Sequence, residues 1–141
     1  MKLDLLFEEF YPQPPDAVWR ALTDPAALST WMMPNDFQPQ VGRRFSFKCE
    51  APPPNTCGTV ECEVLALEPP SRMVWSWLST DEGAPTRVEF RLEPVAGGTR
   101  LILTHTGETD PDTVSRVTAG WPQRLAQLRV TLNELQQPTH D

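Results

Sequence analysis

Trp121, Leu125, Leu128, Leu132 and Leu135 recur at steps of four, three, four and three close to the end of the chain. At 3.6 residues per turn they form one apolar stripe on a helix of about four turns, with Arg124, Arg129, Asn133 and Glu134 off the stripe. A stripe this regular must be buried. The rest of the chain has to supply the surface beneath it, and the space between is either filled by protein or left for a guest.

Upstream, Leu3 to Tyr11 reads as a first strand with ambiguous faces, because Leu5 and Phe7 alternate against Leu6 and Phe10. Pro14 and Pro15 end it, and Pro15 suits the first turn of a helix, where a missing N–H costs nothing. "PDAVWRALTDP" puts Val18, Ala21 and Leu22 on one side of that helix. Asp24 can cap a second helix that begins at Pro25, with Leu28, Trp31 and Met32 as its apolar side and Pro34 just beyond its end. Two short helices joined at Thr23-Asp24 make a bent pair. Sixteen prolines and seven glycines keep all the elements but the last short.

From Phe37 to Thr106 the period changes to two. Phe45, Phe47 and Cys49 form one run, and Val60, Cys62 and Val64 a second. Met73, Trp75 and Trp77, then Val88, Phe90 and Leu92, then Leu101, Leu103 and His105 complete the series. The intervening residues are mostly polar, and Glu61, Glu63, Arg87, Glu89 and Arg91 read as a solvated outer face. The breaks "EAPPPNTCG", "EPPSR", "STDEGAP" and "PVAGG" are turn chemistry, and Pro52-Pro53-Pro54 reads as a stiff hairpin connection. Matching inward faces across an antiparallel meander predicts two cross-sheet rows. One is Phe45, Cys62, Trp75, Phe90 and Leu103; the other is Phe47, Val60, Trp77, Val88 and His105. A slip of two residues would preserve the faces and change the rows.

The expected architecture is α+β: a curved antiparallel sheet of about six or seven strands, two short helices after the first strand, and a long C-terminal helix across the apolar face. One helix is about 10–12 Å wide, whereas six strands at ~4.8 Å spacing span nearly 30 Å. The sheet therefore curls around the helix, or the short helices fill the remainder. At 141 residues the chain reads as one domain over residues 1–136, with a polar tail at 137–141. A net charge of −7 and scattered basic residues argue against nucleic acid or an anionic membrane as partner. No segment approaches the ~20 apolar residues of a membrane span. The start "MKLDLLFEEF" mixes acids into its apolar run, unlike a signal peptide. With three cysteines, an odd number, this suggests a reducing, cytoplasmic setting.

"VWRALTDPAALSTWM", "EPPSRMVWSW", "GGTRLILTHTG" and "GWPQRLAQLRVTLNEL" together resemble the START-like, or SRPBCC, helix-grip superfamily. Within it they look most like the family named for activators of the ninety-kilodalton heat-shock-protein ATPase, over residues 3 to 135. The resemblance implies a helix-grip fold enclosing a hydrophobic cavity. Relatives bind lipids, hormones, polyketides or other apolar molecules, and some are enzymes. The chain departs from the pattern in the turn Val41-Gly42-Arg43, usually richer in glycine, and in the proline-rich "EAPPPNTCG" connection.

The inward strand positions carry no Asp, Glu, Lys or Tyr; their titratable residues are Cys49, Cys62 and His105. His105 is then the sole candidate for acid–base chemistry. Cys62 stands about 14 Å from it across the sheet, beyond hydrogen-bond reach, and reads as a small buried hydrophobe. Cys49, Cys57, Cys62 and His105 make a poor metal set, because Cys57 has the opposite alternation and "CGTVEC" is not a close-spaced ligand pair. His140, in the polar tail, reads as solvated. No catalytic group, metal or cofactor is assigned.

Trp31, Trp75, Trp77 and Trp121 are either core filling or an aromatic floor for a planar ligand. The leading expectation is a small hydrophobic molecule bound between sheet and last helix, lined by Trp31, Phe47, Cys62, Trp75, Trp77, Val88, Phe90, His105, Trp121, Leu125 and Leu128. Its centre is expected between Trp77, Trp121 and His105. The alternatives are a chaperone-associated interaction module and an enzyme acting on a hydrophobic substrate through His105.

Overall fold

The computed structural model describes residues 2–48, 59–78 and 85–136. In chain order these form β1 (Lys2–Tyr11), α1 (Pro15–Thr23), α2 (Pro25–Trp31), β2 (Arg44–Lys48), β3 (Thr59–Glu68), β4 (Arg72–Leu78), β5 (Thr86–Val95), β6 (Gly98–Glu108) and α3 (Pro111–Gln136). The strands make one curved antiparallel sheet in the order β1-β6-β5-β4-β3-β2. Consecutive strands from β2 to β6 pair with their neighbours. β1 closes the far side along β6, and the α1–α2 pair carries the chain from one edge to the other.

Proline and aspartate set the helix starts. Pro15 and Pro25 occupy first-turn positions, and the Asp24 carboxylate accepts from the Ala26 N–H at 3.3 Å. The same pair of residues recurs at Asp110-Pro111. There Asp110 accepts from the Thr113 amide at 3.0 Å and the Thr113 hydroxyl at 2.7 Å. The last helix therefore begins at Pro111 and runs 26 residues, well upstream of the expected start near Gly120. Pro122 lies inside it. It sits on the exposed side, as does Thr118, whose carbonyl loses the amide partner that residue 122 would have supplied; water can replace that bond. The buried face accordingly starts at Thr113 and Val117 and continues through Trp121, Leu125, Leu128 and Leu132. The Leu135 side chain lies outside the described residues.

The strand faces follow the alternation, and the ambiguity in β1 is resolved. Leu3 and Tyr11 are buried and Leu5 and Phe7 pack on the core, while Leu6 and Phe10 are exposed on the outer face. The row assignment is corrected at β4. Cys62 stands opposite Trp77, not Trp75, and Trp75 stands opposite Val64 and Val88 rather than Cys62 and Phe90. The remaining pairings hold: Phe45 with Cys62, Phe47 with Val60, Val88 with His105 and Phe90 with Leu103. The β3–β4 hairpin accounts for the offset between those two strands. The β3–β4 hairpin closes tightly at Glu68–Arg72, and the ladder shifts between Val64 and Ala66, leaving Leu65 unpaired. The displacement is two residues, so every inward side chain stays inward. Val74 is fully buried despite its outward alternation; it stands outside the main core cluster, between Ala66 and Glu89 on neighbouring strands.

Polar side chains tie α3 to the other elements. The buried Tyr11 hydroxyl donates to the Leu125 carbonyl at 3.0 Å, and burial raises its phenol pKa well above the usual range. The Arg129 guanidinium lies 4.8 Å from the Tyr11 ring centroid and bonds Glu9 at 3.2 Å. Arg124 donates to the Met32 carbonyl, and Thr30 and Thr131 share a hydrogen bond of 2.8 Å. Gly98 permits the close approach of β6 to the end of β1: a Cβ there would stand 2.1 Å from the Tyr11 carbonyl oxygen.

Leu128 sits at the centre of the buried face with no exposed surface. Replacing it by Ala is expected to cost about 2–5 kcal/mol. Urea denaturation measures this, and a loss below about 1 kcal/mol would mean that α3 does not close the core.

Candidate functional site

All eleven expected lining residues are buried, and ten of them belong to one continuous apolar cluster; His105, the eleventh, is fully buried beside it. They divide into two neighbourhoods. Trp75 stands in the middle of the sheet, with ring centroids of Phe90 at 4.8 Å, Phe45 at 5.2 Å and Phe47 at 5.7 Å. Phe37, in the connection before β2, adds a ring 6.0 Å from Trp75 and 4.9 Å from Phe45. The sequence reading missed Phe37 because it follows no strand or helix period. Trp31 meets Phe90 edge-on at 6.5 Å, and its indole donates to the Ala21 carbonyl at 2.9 Å, so this tryptophan locks α1 to α2. Leu125 and Leu128 close the core from α3.

The second neighbourhood is the expected corner of Trp77, Trp121 and His105. Trp77 lies 5.5 Å from both the His105 and Trp121 rings, and those two rings are 6.1 Å apart. The strand ends bring them together: Trp77 near the end of β4, His105 on β6 opposite Leu5 and Val88, and Trp121 about two-fifths of the way along α3.

A directional hydrogen-bond chain runs through this corner. The Trp121 indole donates to His105 Nδ1 at 3.0 Å. An indole N–H only donates, so Nδ1 is an acceptor and the neutral ring carries its proton on Nε2. Nε2 then donates to Thr86 Oγ1 at 2.7 Å, and the Thr86 hydroxyl donates to the Trp77 carbonyl at 3.1 Å. Both ring nitrogens and the hydroxyl proton are used. Thr86 was missed by the sequence reading because it follows Pro85 and resembles turn chemistry; its place opposite Trp77 appears only with the corrected register. Gly107, at φ +141°, makes room for it, since a Cβ there would lie 3.0 Å from Thr86 Cγ2.

Burial pushes the His105 pKa down to about 4, and no carboxylate contributes to the shift. Cys62 is buried opposite Trp77, and burial raises its thiol pKa, keeping it protonated and unreactive. Two strands, β4 and β5, separate it from His105. Cys49, Cys57, the proline run and the tail with His140 lie outside the described residues. Among the described residues no group of three or more His, Cys, Asp or Glu side chains could hold a metal ion. No helix there is long and apolar enough to cross a membrane. Among the described residues the fully or nearly fully buried polar side chains are Gln13, Thr86, Thr99, His105, Thr113 and Thr131; none of these carries a charge.

Two buried donors in the aromatic interior have no partner: the indole N–H groups of Trp75 and Trp77. A buried polar group without a hydrogen bond costs about 1–3 kcal/mol, so the two are exceptional in an interior where Trp31 and Trp121 are satisfied. A separate open cavity of about 210 Å³ lies between α2 and α3, lined by Asp24, Ala26, Ala27, Thr30, Thr131 and Glu134. It holds none of the aromatic residues.

The family model described as Activator of Hsp90 ATPase homolog 1-like protein matches residues 12–133. No curated protein gives a match. Several solved structures are similar. Protein MLL2253 from Mesorhizobium loti is 31% identical, with 95% of this chain and 99% of that one covered and a TM-score of 0.84. A Rhodobacter sphaeroides protein is 28% identical over 94% and 93% of the two chains, with a TM-score of 0.80. CalU16 from Micromonospora echinospora is 28% identical over 92% and 75%, with a TM-score of 0.73.

The low pKa of His105 makes stability depend on pH. An unfolded histidine titrates near 6.5 and this one near 4 in the fold. Between those values the unfolded chain takes up a proton that the folded chain does not. The contribution is therefore complete above about pH 6.5 and is lost as pH falls toward 4, with a size of about 3 kcal/mol. His105→Gln keeps an acceptor and a donor but does not titrate. Its urea midpoint is expected to fall less than the wild type's between about pH 7 and about pH 4.5; parallel curves would refute the assignment.

Proposed function

The chain belongs to the Activator of Hsp90 ATPase homolog 1-like family, and from that premise we propose that it binds a small, largely apolar molecule between the curved sheet and α3. The guest sits at the corner of Trp77, Trp121 and His105. The observation that carries this reading is the pair of unpartnered indole donors in an otherwise satisfied aromatic interior. The sheet supplies aromatic walls from Trp75, Trp77, Phe47 and Phe90, and α3 supplies Trp121 and Leu125 opposite them. His105 works here as a fixed, neutral part of the wall. An acid–base role would require it to surrender Trp121 or Thr86, and a pKa near 4 makes it a weak base at neutral pH.

The alternative, a chaperone-associated module, draws its support from the family's description. On the outer face of β1 the exposed Leu6 and Phe10 are separated by Glu8, which bonds Arg100 at 2.9 Å, so they do not merge into one apolar strip. This favours the small-molecule reading.

Titration with the uncharged fluorophore N-phenyl-1-naphthylamine tests it. Saturable binding with quenching of tryptophan emission is expected, with affinity at least about fivefold weaker in folded Trp77→Ala and His105→Ala variants. Unchanged affinity in both would move the site away from this corner.

A further inference from the structure

β1 stands at one edge of the sheet, with β6 its one ladder partner among the described residues. The direction of its backbone groups follows from the neighbouring hairpin. Only Ala96 and Gly97 lie between the paired residues Val95 and Gly98, so that flanking pair exchanges both of its backbone hydrogen bonds. The alternation continues along β6: Arg100, Ile102, Thr104 and Thr106 turn their backbone groups toward β5, and Thr99, Leu101, Leu103, His105 and Gly107 turn theirs toward β1. Leu92, on the alternate set of β5, donates its N–H to the Ser71 carbonyl at 2.8 Å on the β4 side, as this requires. The β1 residues opposite the second set are Tyr11, Glu9, Phe7, Leu5 and Leu3. Lys2, Asp4, Leu6, Glu8 and Phe10 therefore aim their N–H and C=O groups out of the sheet, a row of unsatisfied strand-pairing groups.

We infer that a second copy of the chain pairs with this edge, β1 antiparallel to β1 about a two-fold axis, joining two six-stranded sheets into one. Symmetry and charge leave one register. A two-fold axis perpendicular to the sheet sets each residue opposite one of the same face, so it passes between two copies of a single residue. Centred on Asp4, the pairing sets Asp4 against itself; centred on Leu6, it sets Asp4 against Glu8. Both oppose like charges, which is destabilising. Centred on Phe7, it sets Leu5 against Glu9, a carboxylate held by Arg129 at 3.2 Å in its own chain. Centred on Leu5, it runs from Lys2 to Glu8 and leaves Glu9 outside the paired stretch.

In that register Lys2 meets Glu8 twice, once on each side of the axis. Arg100 holds Glu8 through Oε2 at 2.9 Å, which leaves Oε1 for the lysine. The inward row becomes Leu3 with Phe7 and Leu5 with Leu5. Leu5 and Phe7 pack on the core but are only half-buried in the single chain, and each gains an apolar neighbour from the second copy. All the outward backbone groups from Lys2 to Glu8 are matched, about eight hydrogen bonds in all. The pairing needs no continuous apolar strip on the outer face, which Glu8 interrupts. Any extended strand could use the same backbone groups; the fit of β1 to itself in charge and in apolar row is what points to a second copy.

Sedimentation equilibrium of the full chain from about 5 to about 500 µM tests this, with the mass expected to rise to twice that of the monomer. Leu6→Pro removes an outward N–H that donates to no backbone carbonyl among the described residues, at an edge position where proline is tolerated. It should stay monomeric throughout, with an unchanged far-UV circular dichroism spectrum. Lys2→Glu creates two like-charge pairs and should weaken association about tenfold, and Lys2→Glu combined with Glu8→Lys should bring it back to within about threefold of the wild type. In a mixture of isotope-labelled and unlabelled chains, the Leu5 Hα should show a nuclear Overhauser effect to its counterpart, because such a non-hydrogen-bonded pair brings the Cα atoms to about 4.5 Å. A monomer at every concentration overturns the inference. So does a dimer that both Leu6→Pro and Lys2→Glu leave intact, since its interface then lies elsewhere. If Leu6→Pro fails to fold, the charge reversal and the Leu5 contact decide.

Discussion

The hydrogen bond from the Trp121 indole to His105 Nδ1 is the constraint on which the arrangement of the interior depends. It is the point at which helix α3 is joined to the centre of the sheet by direction as well as by apolar contact. Burying an imidazole is unfavourable unless both nitrogens are matched. One is matched from the helix, and the other from Thr86, which in turn needs the Trp77 carbonyl. Three strands and one helix are thus fixed to each other by a single polar thread. A shift of β4 by two residues would leave the apolar faces intact and would set another backbone carbonyl opposite Thr86, while taking the Trp77 ring away from His105 and Trp121. Apolar burial fixes which side chains face inward; the polar thread ties α3, β6 and β5 together through side chains and reaches β4 through its backbone.

The degree to which the fold could be read from the sequence follows the same division. The faces of β2 to β6 were legible because polar and apolar residues alternate there, and both short helices were legible from Pro15 and the Asp24-Pro25 pair. The α3 stripe was legible in its central turns. Its start was not, because Gly120 and Pro122 resemble a helix boundary; the second Asp-Pro pair, at 110–111, carried the correct signal. The β4 register was illegible in principle, since a period of two is blind to a slip of two, and the ladder shift at Val64/Ala66 adds an offset with no residue signature. The expected corner of Trp77, Trp121 and His105 rested on a helix start near Gly120 and on a row joining Trp77 to Val88; the helix starts at Pro111 and Trp77 faces Thr86, yet the three rings stand 5.5–6.1 Å apart. Thr86 required the register and was missed.

The four core tryptophans considered as ligand walls have different roles despite their shared composition. Trp31 and Trp121 have matched indoles and serve as frame, one joining the short helices and the other joining helix to sheet. Trp75 and Trp77 have unmatched ones and lie two residues apart on one strand. Sequence gives no means of separating these pairs, because each indole looks alike until its neighbours are known. The separation matters for function, since an interior made only of frame has nothing to offer a guest beyond volume.

Pro122 takes one rung from the amide ladder of α3. With no proton at that nitrogen, the ladder lacks the one rung that would end on the Thr118 carbonyl. The two portions are also secured differently: the leading one is capped by Asp110, while the trailing one is held through Trp121 and through Tyr11 at Leu125. A long helix usually opens from its ends as one cooperative body. Here local opening is expected to begin at the turn that lacks a rung as well as at the ends.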